Sequence, residues 1–181
     1  KTYTVNKHPL IPYTESVISK TYDGTTIINL SDIIINVKDP YESNLAEKDL
    51  IKATADKAEY SSAGVGANIP VTVSGIQLTG EKAGNYELTE TSLQTTGNIT
   101  AVVANAEVKV NGTYTYTGTA IEPEKSDVIV TIGDKTLDAD SYDIGTYSNN
   151  ISATDKATVI VQLKGNYTGT VYGTFPILSK N

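Results

Sequence analysis

The chain offers few residues that could do chemistry, and each has a plainer use. His8 is the only histidine. It lies beside Pro9, and no Ser-His-Asp or Cys-His set assembles around it, so a solvated loop histidine is expected. Cysteine is absent, which removes disulfides and thiolate metal sites. Asp138, Asp140 and Asp143 gather oxygen ligands of the kind calcium takes. The spacing and glycine of an EF-hand loop are missing, however, and a solvated turn before Tyr142 is the expectation. Glu122 with Glu124, and Glu87 with Glu90, are spaced as paired carboxylates of a glycosidase could be. In a chain with 21 acids among 181 residues such neighbours arise by chance, and no aromatic-lined cleft is evident beside them.

Tyr114 and Tyr116 share one face if extended and could stack on a sugar, although tyrosine at strand spacing is more often packing material. Gly24, Gly118, Gly84 and Gly165 belong to no phosphate-binding motif. They are expected to supply positive φ at turns. Asn85 and Asn166 suit the same turns, and the tyrosine after each is expected to plug the core. Lys109 and Asn166 form a conceivable pair for an intramolecular Lys–Asn crosslink, which would require a buried, compensated lysine. No catalytic, cofactor-binding or metal-ligating residue is assigned, no cofactor is expected, and the chain is not expected to be an enzyme.

Composition narrows the partners. All 14 basic residues are lysine, and the net charge is -7. The acid excess holds in both halves, with 8 Lys against 12 acids in residues 1–101 and 6 against 9 in residues 102–181. Such a surface lacks the footprint of a nucleic-acid binder and disfavours anionic membranes. No apolar run reaches the length of a spanning helix. The start at Lys1 without methionine reads as a piece of a longer chain. A monomer is expected, with host glycans or glycoproteins as the partner class left open.

The elements that would position these residues are strands. There are 26 Thr, 12 Tyr and 14 Gly, a strand-and-turn composition. Two signatures each occur twice in the same order: Tyr22-Asp23-Gly24 with Tyr116-Thr117-Gly118, and Gly84-Asn85-Tyr86 with Gly165-Asn166-Tyr167. Repetition of that kind implies a repeated module. The fold class is therefore all-β, with two consecutive small β-sandwich, Ig-like modules over 1–101 and 102–181, arranged end to end. The alternative for the first module is a β-grasp-like fold with one short helix over Asn44–Ile51, with Asn44 as N-cap.

Residues 1–12 read as lead-in, because Pro9 and Pro12 restrict pairing. Strands are expected over Tyr13–Ser19, Ile27–Val37, Ala53–Tyr60, Ile69–Leu78 and Leu93–Ile99. Within Ile69–Leu78 the buried parity switches at Ser74-Gly75, as a glycine bulge would make it. In the second half, Asn111-Gly112 between Val108–Val110 and Tyr114–Tyr116 predicts a hairpin. Further strands are expected at Val128–Ile132, from Tyr142, at Val159–Leu163 and at Val171–Ile177.

The first half resembles the bacterial YDG repeat family. The residues that carry the likeness are Lys20-Thr21-Tyr22-Asp23-Gly24-Thr25-Thr26, Gly64-Val65-Gly66, Val71 to Gly80, Ala83-Gly84-Asn85-Tyr86 and Gly97-Asn98-Ile99-Thr100. Ala46-Glu47-Lys48-Asp49 departs from the family pattern. The second half is similar to an Ig-like repeat of Gram-positive surface proteins, through Tyr116-Thr117-Gly118, Ile121, Pro123, Leu137, Asp140-Ser141-Tyr142, Tyr147 to Asn150, Lys164 to Val171 and Phe175-Pro176-Ile177. These resemblances imply secreted, modular, non-catalytic repeats at the cell surface, serving as stalk or spacer. Their alternative use is as carbohydrate- or glycoprotein-binding accessory modules of a larger secreted protein.

Overall fold

The computed structural model describes residues 6–41 and 50–180. The chain is all-β and of β-sandwich type, with single 3-10 turns as the only helical pieces among the described residues. It divides into two compact units, Lys1–Thr100 and Ala101–Asn181. Of the expected helix Asn44–Ile51, only Leu50 and Ile51 are described; the rest lies outside the described residues.

The first unit runs β1 (His8–Tyr13), β2 (Ile18–Thr21), β3 (Asn36–Lys38), β4 (Lys52–Thr54), β5 (Lys57–Tyr60), β6 (Gly66–Ser74), β7 (Gln77–Thr79), β8 (Tyr86–Leu88) and β9 (Ser92–Thr100). One sheet has the order β3-β1-β8, a second β2-β9-β6-β5, and β4 pairs with β7. The second unit runs β10 (Val102–Val103), β11 (Glu107–Val110), β12 (Tyr114–Thr115), β13 (Val128–Ile132), β14 (Lys135–Thr136), β15 (Tyr142–Ser148), β16 (Thr154–Leu163) and β17 (Tyr167–Leu178). Its strand order is β14-β13-β11-β17-β16-β15, with β10 and β12 also on β17.

The two units share a pairing scheme. In each the last strand is antiparallel to a long earlier strand, β9 on β6 and β17 on β16. The opening strand is split into pieces that lie parallel to the closing strands. His8 pairs with Tyr86 and Ile18 with Gly97 in the first unit; Val102 pairs with Tyr167 and Tyr114 with Ile177 in the second. Each Gly-Asn-Tyr tyrosine thus meets the start of its own unit. Each unit also has its own core: Ile18, Tyr60, Val71, Val73, Ile76 and Ile99 lie in the first, and Val128, Val130, Tyr142, Val159, Val161 and Leu163 in the second. Buried tyrosine hydroxyls are satisfied, Tyr142 donating to the Val128 carbonyl at 2.8 Å and Tyr60 to Asn98 at 3.0 Å, as burial of a phenol requires.

Several expectations are corrected. The lead-in is a strand, with Leu10 fully buried. Its prolines are accommodated because β1 pairs with β8 only over His8–Leu10 and with β3 only over Ile11–Tyr13. At every position one flank is free of described strands, so each proline can face its missing N–H that way. Ile27–Val37 is not one long strand. A 3-10 turn over Leu30–Asp32 interrupts it, capped by the Asn29 side chain, and β3 follows.

The Asn111-Gly112 hairpin does not form. β11 and β12 run on in one direction, both parallel to β17. Gly112 has φ of 110°, but Asn111 lacks the positive φ that a type I′ turn needs at both central residues, and the Tyr114 hydroxyl folds back to the Asn111 carbonyl at 2.7 Å. Long-range pairing with β17 has overridden the local turn signal. The bulge is as expected: Gly75 has φ of 67°, and Val71, Val73 and Ile76 are all buried across it.

Candidate functional site: the tyrosine-glycine turns

The first turn is built on an edge strand. β2 carries Lys20 toward the turn, and Gly24 takes φ of 79°, which a side chain would strain. The Asp23 carboxylate accepts from the Thr25 amide at 2.8 Å and from its hydroxyl at 2.9 Å, an Asx turn. It also meets Lys20 Nζ at 2.7 Å. That ammonium donates in addition to the Thr25 carbonyl, the Thr25 hydroxyl and the Ile27 carbonyl, each at 3.0 Å. Lys20 therefore ties β2 to Thr25–Ile27, while Ile28 and Thr26 are bonded across to Ala58 and Tyr60 of β5.

The second turn repeats the scaffold with different chemistry. Gly118 has φ of 85°, and Tyr116 Oη lies 3.9 Å from where its Cβ would stand; at Gly24 the same distance, to Tyr22 Oη, is 3.8 Å. Thr117 replaces the aspartate, its hydroxyl 3.0 Å from that of Thr119. In both copies the tyrosine amide seals the end of the closing strand: Tyr22 N–H reaches the Thr100 carbonyl at 2.8 Å, and Tyr116 N–H reaches Leu178 at 2.9 Å.

The Asp23 carboxyl is held at about 2 instead of its ordinary 3.8, first by the Lys20 hydrogen bond and then by the Thr25 amide. A depressed carboxyl adds stability above its unfolded value and loses it as pH falls through the folded one. The first unit is thus expected to lose an increment of stability between about pH 4 and pH 2. Because Asp23 is more than half exposed, the increment is small, worth roughly a few degrees of melting temperature. Melting curves of Asp23→Asn against the native chain check this: the native curve should fall more steeply in that window, and parallel curves would refute the assignment.

The remaining candidates are dispersed. His8 is not a loop histidine. It lies in β1, 2.5 Å from the Asp39 carboxylate, whose side chain is almost fully buried, and edge-on to Tyr86 and Tyr41 at 5.9 and 6.4 Å. Asp143 is engaged by Lys164 at 2.6 Å, which holds its carboxyl below the usual range. Among the described residues no three His, Cys, Asp or Glu side chains come close enough to hold a metal. Glu87, Glu90, Glu122 and Glu124 are exposed, the last two separated by buried Pro123.

Tyr114 packs into the second unit, edge-on to Phe175 at 5.3 Å, and Tyr116 is 41% exposed; the two do not form a shared stacking face. Gly165 has the expected positive φ but Gly84 does not, since it sits in a 3-10 turn. Tyr86 and Tyr167 are half-buried, not core plugs. Lys109 is exposed and pairs with Thr174, eight residues along from Asn166 and about 26 Å away at strand rise. No Lys109–Asn166 crosslink can form.

Sequence comparison agrees with this geometry for the first unit. Residues 6–94 match the family model of the YDG domain, and a second β unit follows whose opening strands likewise pair in parallel with its closing strand. No curated protein matches the chain.

Proposed function

We propose that the chain is a tandem of non-catalytic spacer modules from a bacterial cell-surface protein. In this reading the YDG domain is followed by an Ig-like surface repeat, and the pair acts as part of a stalk outside the cell. The observation that carries the reading is the parallel pairing of opening and closing strands in both units. In the first, Ile18–Thr21 lies against Gly97–Thr100, with the Tyr22 amide closing the ladder. In the second, Val102–Val103, Val108–Lys109 and Tyr114–Thr115 lie in succession along β17.

When a unit is pulled from its two ends, parallel terminal strands slide past each other, and their hydrogen bonds must break together. An antiparallel terminal pair would instead unzip one bond at a time. The fold thus loads a surface stalk in its stronger direction. The carbohydrate-binding alternative has less support, because Tyr114 is core and Tyr172, the most exposed tyrosine of the second unit at 63%, has no aromatic partner among the ring contacts of that face.

Single-molecule pulling between the chain ends tests the proposal, since forced unfolding reads the unfolding rate directly. Two separate force peaks are expected, one per unit. Extension without resolved peaks would remove the stalk reading.

A further inference from the structure

The two units can be compared position by position, because the bond from the tyrosine amide to the last carbonyl fixes their register. Counting from Tyr22–Thr100 and from Tyr116–Leu178, Lys20 stands where the second unit has Tyr114. Gly97 stands where it has Phe175, and Ile27 where it has Ile121. In the second unit Tyr114, Phe175, Ile121 and Tyr147 pack together and fill the space beneath the turn. In the first unit the Tyr60 ring stands against Gly97, 2.9 Å from where its Cβ would be, and takes the place of Phe175, but Lys20 and Ile27 leave a groove open beside it. A groove of about 670 Å³ runs between β2 and Ile27–Leu30, floored by Ile18, Ile28, Ala58 and Tyr60. Ile27 is 64% exposed at its rim. The groove thus lies where the first unit has Lys20 and Ile27 in place of Tyr114 and Ile121.

Two features say what the groove would take. The first is an unpaired strand edge. Among the described residues β2 ends its sheet, bonded only to β9. Hydrogen-bonding residues alternate along a parallel strand, and Tyr22 bonds inward, so Ser19 and Thr21 present N–H and C=O to the groove. The second is charge. Lys20 is neutralised by Asp23, and Lys57 by Glu59 at 2.8 Å. Of the charged residues lining the groove, this leaves Asp32 and Asp56, both exposed. The lining is thus apolar below, acidic at the rim and open to backbone pairing along one side.

We propose that this groove of the YDG domain binds an extended basic peptide by strand addition to β2, with apolar side chains entering toward Ala58 and Tyr60 and lysine or arginine side chains meeting Asp32 and Asp56. Strand addition gives affinity through main-chain bonds and specificity through alternate side chains.

Two synthetic peptides of about ten residues test it against the whole chain by calorimetric titration: one alternates isoleucine with lysine, the other isoleucine with glutamate. The lysine peptide is expected to bind in the range of about 10–100 µM, with amide shifts at Ser19 and Thr21, and the glutamate peptide at least about tenfold more weakly. Asp32→Asn with Asp56→Asn, both at the surface, should weaken the lysine peptide by about tenfold while leaving the melting temperature unchanged. Lys20→Tyr, which imports the plug of the second unit, should abolish binding. Equal binding of the two peptides overturns the proposal. So does indifference to the aspartate substitutions, shifts confined to other strands, or occupation of the groove by a second copy of the chain or a neutral polysaccharide.

Discussion

Phe175→Ala is expected to unfold the second unit at temperatures where the first remains intact. Phe175 is 1% exposed and takes the rings of Tyr114 and Tyr147 edge-on at 5.3 and 6.2 Å. It joins β17 to the segments that cross beneath the second tyrosine-glycine turn. Removing a buried phenylalanine costs about 3–5 kcal/mol, to which the lost aromatic pairs contribute. A unit of this size holds about 4–12 kcal/mol in all, so its transition should fall by roughly 15–30 °C. Differential scanning calorimetry should show one transition moving and the other staying. A common shift of both would mean that the units melt as one body.

Gly97→Val should damage the first unit by a different route. Gly97 sits in the core opposite Ile18, and a Cβ there would lie 2.8 Å from the Ile18 carbonyl and 2.9 Å from the Tyr60 ring. Backbone cannot give way as a flexible side chain can, so β2 must lift from β9. Overpacking alone costs about 1–3 kcal/mol, and loss of the four-residue parallel ladder adds to it. Gly173, at a different register position, lies opposite Val108, and a Cβ there would stand 2.5 Å from the branched Val108 side chain at Cγ1. Gly173→Val is therefore expected to destabilise the second unit by overpacking against Val108. Both variants should also lower the force peak of the affected unit, because the displaced ladder is the one that bears load. A variant that melts normally would show that the glycine is not holding the strands together.

How much of this was legible in the sequence depended on where the determining partner lay. Gly24, Gly118 and Gly75 could be read directly, because each needs a positive φ that its own neighbours announce. The repeated module followed from the doubled turns. Burial parity at Val71, Val73 and Ile76 was visible because a bulge is a local event. The errors came where a distant strand decided the outcome. Asn111-Gly112 carries a strong hairpin signal, yet β17, more than 50 residues on, pairs with both flanking strands in parallel. Pro9 and Pro12 argued against a strand that is nonetheless built, because its two neighbours divide it between them.

The site was less legible than the fold. His8 and Asp39 are 31 residues apart, and nothing local marks them as partners. The open groove could not be seen in either half alone. It emerges only when Lys20 and Ile27 are set against Tyr114 and Ile121 in a shared register that the structure supplies.

Everything proposed for the chain depends on the opening strand of each unit being sealed to its closing strand at the tyrosine-glycine turn. Site-resolved amide hydrogen exchange at Tyr22 and Tyr116 tests that most directly, since it reads the free energy of opening each bond. Both amides should exchange only with global unfolding of their own unit, as slowly as the core amides of Val73 and Val161. Exchange at the rate of a fraying edge, with those core amides still protected, would contradict the account.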